Sequence, residues 1–311
     1  MNNIFKFLHK LKKFFFGKYF EKKLIMIGNS HILNMRNNYQ NIKNINDLDY
    51  KIYSQFGEDG IIDYLIKSLN IISPKFVEIG VGDYSECNTR FLFETAQPKG
   101  LIIDCIENFK KEVSKNISLW KGDLKILNEK INSKNINQIL EMEGFTSEID
   151  IFSLDIDGVD YWILEKLPPN FSKIVIVEYN SIFGPDLEVS VPNINDFDRS
   201  NYHHSNLCFG ASLKAMISLL EKKGFVFLGS TRSKVNAFFV LKTEIDKINL
   251  NIPNTDDLSF YTNSNITESR NVDGQLNYLS GKDKLSEISE CELINLNDNN
   301  LKKIKEIYNL N

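Results

Sequence analysis

Between Gln55 and Lys242, short apolar runs alternate with segments of helical period, and this alternation constrains the fold more than any other feature. SQFGEDGIIDYLIKSLN opens on a turn and then places Ile61, Ile62, Leu65, Ile66 and Leu69 on one helical face; Pro74 ends it. KFVEIGVGD reads as a buried strand running into a glycine turn. GLIIDC reads as a second strand, SLWKGD (118–123) as a third, IDIFSLDIDG as a fourth and KIVIVEYN as a fifth. GASLKAMISLLEKKG is a helix bounded by glycines, and FVFLGS and NAFFVLK read as a closing pair of strands. Buried strands separated by helices predict an α/β fold: a Rossmann-like, doubly wound, mainly parallel sheet covered on both faces, with the last pair as an antiparallel edge.

Composition narrows the class. At 311 residues, 42% hydrophobic and 25% charged, the chain has the balance of a globular protein. Its four cysteines (Cys87, Cys105, Cys208, Cys291) form no CxxC pair, which argues against a zinc ribbon and fits reduced thiols. A net charge of −4 is not that of a nucleic-acid binder.

Three regions follow: a basic extension and linker (1–48), the α/β domain (49–242) and an Asn-rich appendage (243–311) with a short amphipathic helix at 300–310. Residues 1–23 carry Lys6, Lys10, Lys12, Lys13, Lys18, Lys22 and Lys23 against one acid, Glu21. Within residues 4–20, Ile4, Phe7, Leu8, Leu11, Phe14 and Phe15 recur at helical spacing between the lysines. This segment is read as a peripheral contact with an anionic membrane surface or as a helix packed on protein. Lysines interrupt every apolar run, so it reads neither as a secretory signal nor as a bilayer span. The expected location is cytoplasmic, peripheral at the cytoplasmic face of the inner membrane where the segment meets lipid. Residues 24–30 read as a strand and turn. The GNSH string lacks the downstream element of an esterase.

The chemistry-bearing residues gather at strand ends. Phe76–Asp83 delivers Glu78 and then Gly80 and Gly82, glycines that let backbone approach a ligand. Asp104 ends the next strand, where an acid can accept hydrogen bonds from ribose hydroxyls. The spacing is not G-x-G-x-x-G, because Ser85 follows where the third glycine belongs. Asp155, Asp157 and Asp160 lie at the end of the fourth strand, and Glu178 and Asn180 at the end of the fifth. If the two strands are neighbours, Asp155, Asp157, Glu178 and Asn180 converge on one rim. Clustered carboxylates bind a cation, share a proton or pair with basic groups. As oxygen ligands, Asp155, Asp157 and Glu178 suit Mg²⁺ or Mn²⁺ rather than zinc. Asp157 or Asp160 is equally a helix cap. His203 and His204, in a polar loop, titrate near neutrality and are candidate bases beside Asp157. Tyr161, Trp162, Tyr179 and Phe183 are either sugar-stacking rings or core.

The acid-x-Gly-x-Gly string is similar to the first motif of class I S-adenosylmethionine-dependent methyltransferases. Together, YSQFGEDGIIDYL, FVEIGVGD, LIIDC, SLDIDGVDYWIL, VIVEYNSIFGP, FGASLKAMISLLEKKGF and NAFFV resemble the FkbM-type methyltransferases, in a branch common in bacterial surface-polysaccharide loci. The resemblance covers about residues 50–242. It implies S-adenosylmethionine as cofactor and O-methyl transfer to a sugar, nucleotide-sugar or lipid-linked glycan acceptor. By residue, it implies cofactor contacts at Glu78, Gly80 and Gly82, the ribose acid at Asp104 and an adenine-side group at Asp123. It further implies Asp155 beside donor and acceptor, and Gln55 and Asp59 reaching the pocket. Tyr84 departs from the pattern, standing where many methyltransferases have a third glycine. Two other readings stay open: a non-catalytic glycan-binding or scaffold module, and a metal-dependent hydrolase or transferase using the carboxylate rim.

Overall fold

The computed structural model describes residues 19–310 except 21, 263 and 265–267. The amphipathic pattern of residues 4–18 therefore lies outside the described residues.

Seven strands form the main sheet among the described residues: β1 (Lys75–Ile79), β2 (Lys99–Asp104), β3 (Asp123–Asn128), β4 (Ile149–Leu154), β5 (Ser172–Glu178), β7 (Phe225–Ser230) and β8 (Asn236–Leu241), in the order 3-2-1-4-5-8-7. β1 to β5 run parallel; β8 is antiparallel to both β5 and β7. The first five follow the doubly wound order, with its reversal between β1 and β4.

Period-two alternation sends Val77, Ile79, Leu101, Ile103, Val175 and Val177 into one apolar cluster, and Phe76, Ile102, Ile174 and Ile176 into another. The first cluster is closed by α5 (Ile136–Glu143), α6 (Asp160–Lys166) and α8 (Leu213–Lys222). The second is closed by α2 (Glu58–Ser68), α3 (Arg90–Ala96) and α4 (Phe109–Asn116). With both sheet faces covered, the strands read as continuous apolar runs, and that is why the sequence reveals them.

Four local expectations change. Residues 24–30 are not a strand and turn but part of a helix, α1, over 22–36; a short apolar run does not by itself distinguish the two. α1 docks through Ile32 onto Tyr53 and Phe91, leaving Leu24, Met26, Ile27 and Leu33 exposed. Within the expected linker, Tyr39, Ile42, Ile45 and Leu48 are buried against the second cluster. The third strand is not SLWKGD: Leu119–Lys121 is a 3-10 turn and the strand begins at Asp123. β3 is an edge strand with alternating exposure, so its apolar signal is weak. The appendage also contributes structure. β9 (Glu292–Asn295) pairs with β10 (Asn300–Lys303) and with β6 (Val189–Ser190), and only one helical turn, α10 (Ile304–Ile307), follows. No helix among the described residues is long and apolar enough to cross a membrane.

Candidate active site

Two cavities open beyond the carboxyl ends of the parallel strands. The larger, about 410 Å³, reaches Gly80, Gly82, Asp104, Glu129 and Ile131; the smaller, about 140 Å³, reaches Gln55, Glu178, Asn180 and Phe209. They meet at Asp155, Asp157 and Arg199, which line both.

The glycine turn is built for close approach. Gly80 adopts φ +84°, and a Cβ there would stand 1.6 Å from the Asp155 carbonyl oxygen, so β1 and the β4 loop touch through bare backbone. Gly82, at φ +54°, has open space where its Cβ would be. Its N–H donates to Asp104 Oδ2 (2.7 Å), and Ile106 N–H donates to Oδ1 (3.0 Å). Each carboxylate oxygen offers two lone-pair directions, so Asp104 is held in place and still has one acceptor site per oxygen. Tyr84, in the slot of the absent glycine, takes left-handed φ +60°, buries its ring against Phe93 and bonds Thr89 Oγ1 (2.8 Å). The turn is thus held by a core side chain.

Three acids named from the sequence are internal supports. Glu78 points away from the larger cavity. It accepts the N–H groups of Asn88 (2.8 Å) and Thr89 (3.0 Å) at the start of α3. Asp59 accepts the amides of Ile52, Tyr53 and Ser54 and lines neither cavity. Neither Asp157 nor Asp160 caps α6, which has no side-chain cap; Asp160 instead pins the loop before the helix, taking the amides of Ile156 (3.0 Å) and Gly158 (2.9 Å). Burial pushes Glu78 up to about 7 and Asp59 and Asp160 up to about 6, against amide hydrogen bonds that pull them down.

This has a consequence for stability. Between about pH 4 and 7 the folded chain keeps protons that the unfolded chain releases, so the stability these groups supply at low pH is lost as pH rises through 6 and 7. His203, lowered by burial and by its neighbour His204, opposes the trend in the upper part of that window. The expected result is an unfolding midpoint higher at pH 5.5 than at pH 7.5, by about 2–4 °C per kcal/mol of linked stability. A scan of melting against pH checks it, and Asp160→Asn should flatten the slope.

The remaining carboxylates form the junction. Burial raises Asp155 and Glu178 well above the carboxylate range, helped by the Asp157 charge beside Asp155 and by the Asp155 and Asp157 charges beside Glu178. Glu178 Oε2 is buried with no donor in reach, so its contact with Asp155 becomes a hydrogen bond only when one of the two holds a proton. Asp157, at φ +52°, is raised by burial but paired with Arg199 Nη1 (2.6 Å); Glu268 lies 3.7 Å from the same guanidinium. Asn180 spans the rim, accepting the Ile182 amide and donating to the Leu207 and Phe209 carbonyls.

Other predicted residues lie elsewhere. Asp123 is exposed at the start of β3, so in a parallel sheet it stands at the end opposite the cavities. Tyr161 packs edge-on against Trp162 on α6 and lines neither cavity; Phe183 is core, whereas Tyr179, though buried, borders the smaller cavity. His203 and His204 also line neither: His203 Nδ1 meets Ser205 Oγ (2.7 Å) and His204 Nε2 meets Glu287 Oε1 (2.9 Å).

Sequence reasoning missed Arg199, Glu268 and Lys284. Arg199 starts the short helix α7 (Arg199–Tyr202), beneath the polar loop already singled out. Lys284 comes from α9 (Lys282–Glu287), in the appendage, and lines the smaller cavity. No local pattern marks it.

No family model matches the chain, and no curated protein does. Solved structures similar to it in fold include the small RNA methyltransferase HEN1 (13% identity, TM-score 0.37, 57% of this chain and 24% of that one). Others are spermidine synthase from Thermotoga maritima (11%, 0.34, 72% and 67%) and human N-acetylserotonin methyltransferase in complex with SAM (13%, 0.32, 58% and 52%). The chain thus spans about a quarter of the HEN1 length. The Rossmann-like α/β architecture rests on the chain's own sheet order and strand directions.

Proposed function

We propose that the chain is an S-adenosylmethionine-dependent O-methyltransferase whose acceptor is a sugar or glycan precursor. The observation that carries it is the junction: a cavity edged by a glycine turn and a strand-end acid meets a second cavity at the Asp155 and Glu178 carboxyl pair, which in this reading shares a proton. The larger cavity has the volume of a small-molecule site. Gly80 and Gly82 would admit the cofactor's backbone-facing edge, and the two open acceptor directions of Asp104 would take the ribose hydroxyls. When bound, the cofactor supplies an activated methyl group.

The chain's own residues do the rest. Gln55, Asn180 and Phe209 shape the acceptor cavity. Asp155, the one member of the proton-sharing pair that lines both cavities, takes the acceptor hydroxyl's proton. Lys284 supplies positive charge for an acceptor bearing phosphate or carboxylate. Asp155, Asp157 and Glu178 offer oxygens within 4.8 Å of one another, but Asp157 is paired with Arg199, so a dication there would displace that ion pair, and the proposed reaction needs none. Activity should accordingly survive chelator.

Isothermal titration with S-adenosylmethionine and S-adenosylhomocysteine tests the cofactor half. Heat with either, in the micromolar range, supports it; none at about 100 µM protein sinks it. The basic segment at residues 4–20 is read as a lipid-surface address, supported by the charge contrast and the exposed apolar residues of α1. Deleting residues 1–23 is expected to abolish sedimentation with anionic vesicles and leave cofactor affinity unchanged; undiminished sedimentation refutes the address.

A further inference from the structure

Outside the two cavities, one cluster brings together residues remote in sequence. His203 and His204 stack with ring centroids 4.2 Å apart in the loop after α7, and Glu287 ends α9 beside them. One donor atom from each of the three lies within 4.8 Å of the others. All are half-buried, open to an arriving ion yet held by the fold.

We propose that His203, His204 and Glu287 bind a transition-metal dication of the Zn²⁺ type, which fastens the carboxy-terminal segment to the loop lining the smaller cavity. Two imidazoles and a carboxylate are a borderline donor set, suited to Zn²⁺ rather than to Mg²⁺ or Ca²⁺. A tetrahedral shell at about 2.0–2.1 Å sets donors about 3.4 Å apart. Side-chain rotation from the present spacing closes that gap, and a fourth position stays open to water. Ser205 provides the orienting contact that metal-bound histidines use. His203 Nδ1 meets Ser205 Oγ at 2.7 Å and lies 3.3 Å from the Ser205 N–H; coordination through Nε2 requires the tautomer in which Nδ1–H donates to Oγ, at the expense of that backbone contact. Glu287 already meets His204 Nε2 at 2.9 Å, so the ion would replace one hydrogen bond with two coordinate bonds.

The position gives the ion a role. Asn206, Leu207 and Phe209, directly after the histidines, line the smaller cavity, as does Lys284 from α9. An ion joining His203 and His204 to Glu287 locks together the two segments that close this cavity. It is a clamp and touches no reacting atom.

The test uses the full metal-free chain titrated with Zn²⁺, and with Co²⁺ as a spectroscopic probe. The expected result is about one equivalent bound, cobalt d–d absorption without thiolate charge-transfer bands, and an unfolding midpoint raised by about 5 °C at hundredfold excess over Kd. Glu287→Gln and His204→Gln should each weaken binding at least about tenfold, while His31→Gln and Asp157→Asn leave it unchanged. Glu287→Gln is a half-exposed, near-isosteric change, so its circular dichroism should match the parent. Three results would overturn the site: no binding at about 100 µM, undiminished binding by folded Glu287→Gln, or thiolate bands assigning the ion to the neighbouring Cys208 and Cys291. None of these readouts depends on S-adenosylmethionine, so the clamp and the proposed activity stand or fall separately.

Discussion

Asp155→Asn is expected to lower the rate of methyl transfer by about 10²–10⁴-fold while leaving the affinity for S-adenosylmethionine within about threefold. The range is that of a positioned general base. Asn preserves the shape of the side chain and can still donate to Glu178, so the sheet and the larger cavity should persist. What disappears is an oxygen able to accept a proton. Burial makes Asp155 and Glu178 more basic than ordinary carboxylates, so the member of the pair that is without a proton is a strong acceptor. The parent rate should fall as acid fully protonates the pair, and single-turnover measurements across pH separate this loss from binding. A variant retaining more than about a tenth of the rate would move the base elsewhere. Glu178→Gln should lose less, because Glu178 tunes Asp155 and lines only the acceptor side.

Asp104→Ala is expected to weaken S-adenosylmethionine binding by about 10²–10⁴-fold, with little change in the rate at saturation. Hydrogen bonds to a charged acceptor contribute about 1.5–3 kcal/mol each, and two ribose hydroxyls would lose theirs together. The same substitution frees the amides of Gly82 and Ile106, which hold the turn. Part of the loss is therefore a looser turn. Asp123→Ala is the control: it lies at the opposite end of the sheet and should leave affinity unchanged. Titration calorimetry on both variants decides the matter. An unaltered dissociation constant for Asp104→Ala would remove the strand-end acid from the cofactor site.

The strand ends were legible because each carries its acid directly after an apolar run. In an open α/β sheet those ends share one rim, so Asp104, Asp155 and Glu178 could be placed without coordinates. Adjacency of β4 and β5 was the one condition for the convergence of Asp155, Asp157, Glu178 and Asn180, and the sheet order meets it. Histidines chosen for their titration range fell outside both cavities, since residue type carries no information on where a loop folds. Glu78 was named for its place in a motif, yet its carboxylate turns to the start of α3 and supports the turn from behind.

Local pattern alone determined the parallel sheet, its two covered faces, the glycine turn and the acids at the strand ends. These depend on periods of two and 3.6 residues and on backbone sterics, which act over a few neighbours. Only the tertiary structure decided which acids are supports and which face a cavity, that Arg199 neutralises Asp157, and that Lys284 and Glu287 arrive from the carboxy-terminal segment. Those facts depend on contacts between residues far apart in sequence, set when the clusters close. An unpatterned, Asn-rich segment leaves no local trace of where it will pack.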